Sequence, residues 1–300
     1  MKNPMDTATS TPAPTTGTGL TLAVVGLGLI GGSMAIDLKR RGYARHVIGV
    51  DRDRLHAATA LRIGLVDEIA ELPAALERAD VVVLAVPVNA TIALLPGLLD
   101  RVSGHQVVCD VASTKKTIVD RVRQHPNRRR FVPSHPMAGT EFSGPWAALS
   151  GLFDSKAAII CDREDSAADA VAHVERLYGT LNMRLVHMEA SRHDVHVAYV
   201  SHISHVTSFA LALTVLDKER DEKAIFDLAS GGFSSTARLA KSSADMWTPI
   251  FQHNSTNVVN VLDAYIRKLE EFRRHIADQA EKPLHDLISE ANHIRRVLNG

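Results

Sequence analysis

Two hydrophobic patterns follow one another along the chain. Before residue 188, short runs rich in Val and Ile alternate with longer amphipathic segments. Runs that are apolar throughout, joined by amphipathic crossovers, predict a parallel sheet with helices on both faces. The predicted strands are Leu22–Val25, His46–Val50, Val81–Val86, Gln106–Val111, Arg130–Pro133, Ala157–Cys161 and Arg184–His187. The predicted helices are Gly31–Arg41, Arg54–Ile63, Ala90–Arg101, Lys115–Gln124 and Ser166–Leu181.

The second pattern begins after Met188, where apolar residues recur at helical spacing and strand-like runs end. We expect a domain boundary here, with an α/β domain at 20–188 and an all-helical substrate and dimerisation domain at 189–300. Residues 1–19 are rich in Thr, Pro, Ala and Ser and lack the apolar core of a signal peptide, so we expect a disordered leader. The predicted helices of the second domain are Ala190–Leu216, Glu219–Leu228, Ser234–Lys241, Trp247–His275 and Lys282–Leu298.

One helix of the second domain carries more apolar surface than a small domain can bury. Its stripe consists of Tyr199, Val206, Phe209, Leu213 and Leu216. Such surfaces are commonly buried against a second copy, so we expect a homodimer through the helical domain. The same helix contains several His and Ser residues, which argues against a segment that crosses a lipid bilayer.

The balance of charge argues against two classes of partner. The chain has 34 basic and 34 acidic residues, so its formal net charge is zero. It has no long-range field to attract nucleic acid or an anionic membrane. The one dense basic run, Arg128–Arg130, is interpreted as a solvated loop. The two cysteines, Cys109 and Cys161, lie in apolar strands and form no disulfide framework, which favours the cytoplasm.

A glycine-rich turn stands between the first strand and the first helix. Its residues are Gly26, Leu27, Gly28, Leu29, Ile30 and Gly31. A strand before and a helix after are the context that a dinucleotide-binding turn requires. Gly26 would allow the tight turn, Gly28 would let the backbone approach a pyrophosphate, and Gly31 would let helix and strand pack closely. The turn predicts a Rossmann-type, doubly wound, mostly parallel sheet, with the phosphates at the helix N-terminus near Leu29 and Ile30.

An acidic residue follows the second strand, 20 positions after Gly31. Asp51 stands where a carboxylate binds the adenosine ribose hydroxyls. A carboxylate there repels a 2′-phosphate, which favours NAD over NADP, although the neighbouring Arg52 could pair with such a phosphate. Val86 and Pro87 end a later strand at the carboxyl edge of the sheet, which lines the ligand crevice in this fold. The alternative is a plain strand–turn–helix with a capping Asp.

Two segments of the α/β region concentrate polar residues that could carry chemistry. In Asp110–Lys115, Ser113 either faces the cofactor or caps the following helix. In Ser134–Glu141, His135 is predicted in a loop bounded by Pro and Gly. Oxidation of an alcohol needs a base for the hydroxyl proton, and histidine suits neutral pH.

The helical region adds a third polar group. Its members are His193, His196, His202, His205, Arg238 and Trp247. His202 and His205 lie near one helix face, but no carboxylate or cysteine completes a zinc-ligand spacing, so we expect no metal. Arg238 could bind a carboxylate bidentately or be a solvated helix charge.

Five segments, in this order, resemble the prephenate/arogenate (cyclohexadienyl) dehydrogenases of tyrosine biosynthesis. They are Gly26–Ser33, Asp110–Lys115, Ser134–Glu141, Ser201–His205 and Gly231–Trp247. Each is modest alone, and their order makes the match specific over about residues 20–275.

The resemblance implies a reaction and a role for each matching residue. Prephenate would lose hydride from its hydroxyl-bearing carbon to NAD and its ring carboxylate as CO2, which yields an aromatic ring. His135 would hydrogen-bond the ring hydroxyl and accept its proton, Ser113 would orient both groups, and Arg238 would bind a substrate carboxylate. The residues implied to line the substrate pocket and its mouth are His205, Trp247 and Glu141.

Two departures from the family pattern affect the choice of substrate. Ser204 stands where members often have Pro, and Phe233–Thr236 lacks a charged residue that many members carry. Arogenate, either alone or together with prephenate, is the alternative substrate, and an amino-substituted prephenate of antibiotic biosynthesis is a third. A non-catalytic NAD-binding sensor is the alternative from a different class; it would need none of His135, Ser113 and Arg238.

Overall fold

The computed structural model describes residues 19–297. The predicted leader at 1–19 lies outside the described residues except for Gly19, and so does Leu298 at the end of the last predicted helix.

A six-stranded parallel sheet forms the centre of the first part of the chain. Its strands are β1 (Leu20–Val25), β2 (Ala44–Val50), β3 (Glu68–Ile69), β4 (Val81–Leu84), β5 (Val107–Asp110) and β6 (Phe131–Val132). Their order is β3-β2-β1-β4-β5-β6, and every neighbouring pair is parallel. This order is that of dinucleotide-binding doubly wound sheets. It confirms the predicted fold, and the Val-rich runs of β4 and β5 are buried throughout, as strands covered on both faces must be.

Helices connect these strands and cover the sheet. They are α1 (Leu29–Arg40), α2 (Arg54–Arg62), α3 (Leu72–Arg78), α4 (Val88–Leu99), α5 (Lys116–Val122) and, after the last strand, α6 (Ala168–Thr180). The sequence pattern missed α3 and β3, because seven and two residues are too few to establish a period.

A second, three-stranded sheet holds two of the predicted strands. Its strands are β7 (Ser134–Pro136), β8 (Ala157–Cys161) and β9 (Arg184–Met188). β7 runs antiparallel to β8, and β8 runs parallel to β9. The chain passes from β6 to β7 through the single residue Pro133, so the predicted strand that ends there continues into the second sheet. The prediction that His135 lies in a loop is therefore wrong: it is paired with Ile159 of β8.

The basic run Arg128–Arg130 is a 3-10 turn, and its interpretation as a solvated loop is wrong. Arg130 pairs with both oxygens of Asp169, at 3.0 and 2.8 Å, and its Nε donates to the Gln106 carbonyl at 2.7 Å. Arg128 is buried and donates to the Phe131 carbonyl at 2.7 Å. The partners of Arg130 lie 24 and 39 residues away, so the local sequence does not reveal them.

The remaining elements are helical. They are α7 (Ala190–Val197), α8 (Ile203–Glu219), α9 (Gly231–Ala237), α10 (Ala244–His253), α11 (Ser255–Ala277) and α12 (Glu281–Ala291). A π-helical turn, Ala198–His202, joins α7 to α8 within one continuous helix. The predicted helix Trp247–His275 is two helices, because Asn254 leaves the helical conformation.

The described residues divide into two units. The first contains residues up to His193 together with Ser242–Pro249, and the second contains Asp194–Lys241 and residues from Ile250 onward. The domain limits inferred from the sequence, 20–188 and 189–300, stay a proposal.

Candidate active site

The glycine-rich turn has the backbone geometry that its spacing predicts. Gly26 has a φ of +97°, and a Cβ there would lie 2.4 Å from the Ala85 carbonyl oxygen. A Cβ on Gly31 would lie 2.0 Å from the Gly26 carbonyl oxygen. Neither position tolerates a side chain, so the turn between β1 and α1 is tight and the helix packs directly on the strand end.

The start of α1 leaves room for a phosphate group. A Cβ on Gly28 would meet nothing within 4 Å, so the surface beside this residue is open. The first turn of α1 has no acidic residue and no side-chain cap, which leaves its N–H groups available to an anion. Leu29 is buried and Ile30 is half-buried in the same turn. The residues present therefore fit the pyrophosphate of NAD.

The carboxylate of Asp51 is held next to this turn. Its Oδ2 accepts from the Leu27 N–H and its Oδ1 accepts from the Asp53 N–H, each at 2.9 Å. Each oxygen keeps a further lone pair for a ribose hydroxyl. Arg52 beside it is exposed.

The end of β4 continues the same edge of the sheet. The Ala85 N–H donates to the Val25 carbonyl at 2.7 Å, which aligns the residues after β4 with the glycine turn. Val86 is half-buried, and Pro87 is exposed and stands immediately before α4.

A buried pair of histidines lies in the second sheet and on α7. The Nδ1 of His135 is 2.9 Å from the Nε2 of His193, and the two rings meet edge to face. His193 is fully buried and His135 is 8% exposed. Because one of the two nitrogens must donate and the other accept, the tautomer of His193 decides which nitrogen of His135 carries the proton.

A buried ion pair holds the strand of His135 against the end of β5. Lys115 contacts the Asp110 carboxylate, and its Nζ donates to the Ser134 carbonyl at 2.8 Å. The Ser134 N–H donates to Asp110 Oδ1 at 3.1 Å, and the Ser134 hydroxyl donates to the Asp110 carbonyl at 2.7 Å. The hydroxyl of Tyr178 on α6 is 2.8 Å from that of Ser134. His135 is thus fixed at the carboxyl edge where β1, β2 and β4 also end.

Three further predicted residues lie in the first unit. Ser113 is half-buried between β5 and α5, two residues before the N-cap residue Lys115, and its role as a cofactor-facing or capping residue stays a prediction. Glu141 is half-buried in the segment that follows β7. Trp247 is buried on α10.

The second unit brings two of the predicted substrate residues near one another. Burial lowers the pKa of His205, its contact with the Ser201 carbonyl raises it, and the charge of Arg238 lowers it further. His205 is therefore neutral at pH 7. Arg238 is exposed at the start of a 3-10 turn that follows α9.

Sequence reasoning missed the partners of His135. It named His193 among the polar residues of the helical region without giving it a role, and it singled out Asp110–Lys115 without predicting an ion pair. An apolar strand that ends in Asp, followed shortly by a Lys, is a weak signal for such a pair. Among residues 19–297 no group of three His, Cys, Asp or Glu side chains could hold a metal ion, and the expectation of no metal stays a prediction.

Comparisons with known proteins agree with this geometry over most of the chain. The family model described as prephenate dehydrogenase, nucleotide-binding domain, matches residues 34–187. The model described as prephenate dehydrogenase, dimerization domain, matches residues 189–290.

Individual relatives extend the comparison. A prephenate dehydrogenase of Bacillus subtilis is 32% identical over 262 residues, which are 86% of this chain and 71% of that one. A cyclohexadienyl dehydrogenase of Zymomonas mobilis is 29% identical over 279 residues, which are 92% of this chain and 95% of that one. The crystal structure of prephenate dehydrogenase from A. aeolicus in complex with hydroxyphenyl propionate and NAD+ has a TM-score of 0.85 at 28% identity, covering 94% of this chain and 99% of that one. Both family models match in order, and the structure has a nucleotide-binding turn after β1 and a buried histidine on β7, next to the end of β5. The chain therefore belongs to the prephenate dehydrogenase family.

Proposed function

We propose that the protein catalyses the NAD-dependent oxidative decarboxylation of prephenate to 4-hydroxyphenylpyruvate, a step of tyrosine biosynthesis. The observation that carries the proposal is the buried His135–His193 pair, held at the sheet edge that also carries the glycine turn and Asp51. When bound, NAD supplies the acceptor for the hydride that leaves the hydroxyl-bearing carbon.

His135 is the base that removes the proton of the ring hydroxyl. To accept a proton on Nε2, it must already carry one on Nδ1, and that N–H then donates to His193 Nε2. The imidazolium formed keeps this hydrogen bond at 2.9 Å, so His193 stabilises the charge that appears during the reaction. The ion pair of Lys115 and Asp110 keeps β7, and with it His135, in place.

The other predicted residues are assigned to orientation and binding. Ser113 lies between β5 and α5, and its hydroxyl is assigned to orienting the substrate hydroxyl. Arg238 binds a substrate carboxylate, because its planar guanidinium can donate two parallel hydrogen bonds. A neutral His205 adds no charge beside Arg238. The further substrate-binding assignments, which rest on the family resemblance, are Trp247 and Glu141.

Asp51 supports NAD as the cofactor. Its carboxylate is already oriented by two backbone N–H groups, and a 2′-phosphate at the ribose would meet its negative charge. Leu29, Ile30, Val86 and Pro87 are assigned to the walls of the same cofactor site.

The helical region is proposed to form a homodimer of a cytoplasmic enzyme. Of the predicted apolar stripe, Tyr199, Leu213 and Leu216 are 56%, 62% and 48% exposed. The helix Ala190–Glu219 is long and apolar enough, by length and composition alone, to cross a membrane. Its position within the match to the dimerization-domain model favours a second copy of the chain as the cover for this surface.

Arogenate is the alternative substrate, either alone or together with prephenate. It carries an amino group where prephenate has a keto group, and an acid near that group would favour it. Glu141 is the candidate acid. One relative, from Zymomonas mobilis, is named a cyclohexadienyl dehydrogenase, a name that is not restricted to prephenate.

The test is steady-state formation of NADH with prephenate and with arogenate, repeated with NADP. We expect kcat/KM with prephenate and NAD to exceed each other combination by at least about tenfold. A preference for arogenate would overturn the substrate assignment, and a preference for NADP would overturn the role of Asp51. Turnover of neither compound would refute the enzymatic function.

A further inference from the structure

A π turn lies in the helix that carries His205. Residues Ala198–His202 form this turn, and the Ile203 N–H bonds to the Ala198 carbonyl, five residues back. A π turn holds about one residue more than an α turn, so it rotates every later side chain by about 100° relative to a regular helix. His205 follows three residues later, and the π turn therefore decides which helix face carries it.

One buried side chain bridges the last residue of this turn and the helical turn that precedes it. The Nδ2 of Asn254 is 2.7 Å from the Asp194 carbonyl oxygen and 3.1 Å from His202 Nδ1. Asp194 lies one turn before the π segment, and His202 is its last residue. Asn254 is 3% exposed, so these hydrogen bonds are shielded from water.

The amide of Asn254 is itself oriented by a neighbour. Its Oδ1 accepts from the Nδ2 of Asn257 at 2.7 Å, which identifies Nδ2 as the group directed at the helix. Because an amide nitrogen only donates, His202 Nδ1 must accept, and neutral His202 carries its proton on Nε2. Asn254 thus contacts the helix on both sides of Ala198 and sets the tautomer of His202.

The backbone at Asn254 explains how its side chain reaches the turn. Its φ of −118° and ψ of 23° interrupt the helical path between α10 and α11. A residue that continued the helix would merge these two elements, as the sequence pattern predicts. The break directs a short amide, which also tolerates non-helical backbone, at the neighbouring helix.

The face that follows the π turn carries the proposed substrate residues. His205 Nδ1 is 3.1 Å from the Ser201 carbonyl within the turn. The hydroxyl of Ser208, three residues later on the same face, donates to the Thr236 carbonyl at 3.0 Å, two residues before Arg238. A change of helix phase would therefore move His205 and the contact beside Arg238 together.

We propose that Asn254 is a positioning residue for substrate binding: by bridging Asp194 and His202 it maintains the π turn and so places His205 beside Arg238. The inference rests on the proposed function, because His205 and Arg238 act on substrate only if prephenate binds there. Asn254 acts through other residues, so its loss should change substrate binding more than the chemical step.

The test compares Asn254→Ala with Asn260→Ala, an identical change at an exposed position of the same helix. We expect Asn254→Ala to raise KM for prephenate about tenfold, with kcat within about threefold and KM for NAD within about twofold of wild type. Asn260→Ala should change none of these. An unchanged KM for prephenate in a folded Asn254→Ala protein overturns the proposal.

Two further variants keep the test decisive. Asn254→Leu has a similar volume without hydrogen-bonding groups, and it replaces the alanine variant if that protein does not fold. Deletion of Val200, which is 68% exposed, removes one residue from the π turn without removing core packing. Because the deletion removes the extra residue that the π turn accommodates, a regular helix through this segment would keep His205 on its wild-type face. Adding the deletion to Asn254→Ala should therefore return KM for prephenate to within about threefold of wild type. A KM in the combined variant as high as that of Asn254→Ala alone would overturn the proposal.

A binding measurement separates this inference from the proposed function. Hydroxyphenyl propionate, the ligand in the A. aeolicus relative, serves as the probe in calorimetric titrations of wild-type protein and variants. Absence of turnover by wild type would refute the proposed function. Weaker probe binding in Asn254→Ala than in Asn260→Ala would still support the bridge, and equal binding would overturn it.

Discussion

The two units differ in where they place their apolar side chains. In the sheet unit, β4 and β5 are buried at every position. In the helical unit, α8 has 17 residues and only Ser208 among them is buried. Leu228, in the same unit, is 86% exposed. The sheet unit buries its apolar strands within itself, whereas the helical unit leaves apolar side chains exposed in the single chain, which is the surface of the proposed dimer.

The candidate functional groups of the two units also differ in burial. His135, Lys115 and Asp110 are buried and held in place by hydrogen bonds. Removing one of these side chains leaves the polar group that it contacts buried, without a hydrogen-bond partner from the protein or from water. Arg238 is exposed, and its proposed role is to bind a substrate carboxylate. Changes in the first set should therefore affect the chemical step or the fold, and changes in the second set should affect binding and assembly.

Replacement of the proposed base should have the largest effect. His135→Asn keeps a polar side chain but cannot take a proton, so kcat should fall about a thousandfold while KM for prephenate changes less than about threefold. Stopped-flow measurement of NADH formation checks this. His105→Asn, at an exposed histidine, is the control and should behave as wild type. A kcat near the wild-type value would exclude His135 as the base.

Removal of the buried cation should affect the fold instead. Lys115→Met leaves the Asp110 carboxylate buried without its partner, and we expect the free energy of unfolding to fall by about 3–5 kcal/mol. Urea denaturation measures it. The adjacent Lys116→Met is the matched control: that side chain is 59% exposed and pairs with Asp120 on the surface, so its loss should cost less than about 1 kcal/mol. Equal losses in the two variants would contradict the role given to the ion pair.

Removal of the exposed guanidinium should weaken binding alone. Arg238→Ala should raise KM for prephenate about 10–100-fold, the cost of a charge-assisted hydrogen bond, with kcat within about fivefold and an unchanged melting temperature. Arg220→Ala, an exposed arginine of the same unit, should leave the kinetics unchanged. A fall in kcat with constant KM would place Arg238 in the chemical step. It would contradict the expectation that the exposed groups affect binding and the buried groups affect chemistry or folding.

A charge on the apolar stripe should have the smallest effect on the isolated chain. Leu213→Glu places a carboxylate on the proposed dimer surface, and we expect the dimer dissociation constant to rise by at least about tenfold. Sedimentation velocity over a range of concentrations measures it. Leu55→Glu, at a leucine of α2 that is 66% exposed, controls for added charge. A monomeric wild type would overturn the dimer proposal.

Local patterns predicted most of the fold and the cofactor turn. The apolar runs located β1, β2, β4, β5 and β8, because a strand buried on both faces needs an uninterrupted series of apolar residues. The glycine turn was predictable for a similar reason: Gly26 and Gly31 are required by contacts within a few residues of themselves or with the adjacent strand.

The buried pair of histidines was only half predictable. His135 was identified, whereas its partner His193 lies 58 residues away on a different element. Nothing in the sequence next to either histidine encodes that contact. The split of the predicted helix Trp247–His275 was missed for the same reason, since the bridge from Asn254 to His202 spans 52 residues.

The sequence by itself determined the α/β class and the glycine turn with Asp51, and it singled out His135 and Arg238 as candidates for the chemistry. Each of these depends on residue type and short spacing, which the chain carries locally. Only the tertiary structure decided that β8 and β9 form a separate sheet, that Lys115 and Asp110 hold the strand of His135, and that His193 faces it. Those features arise when distant segments pack and bury polar groups that must then find partners, and a linear pattern contains no record of which partners they find.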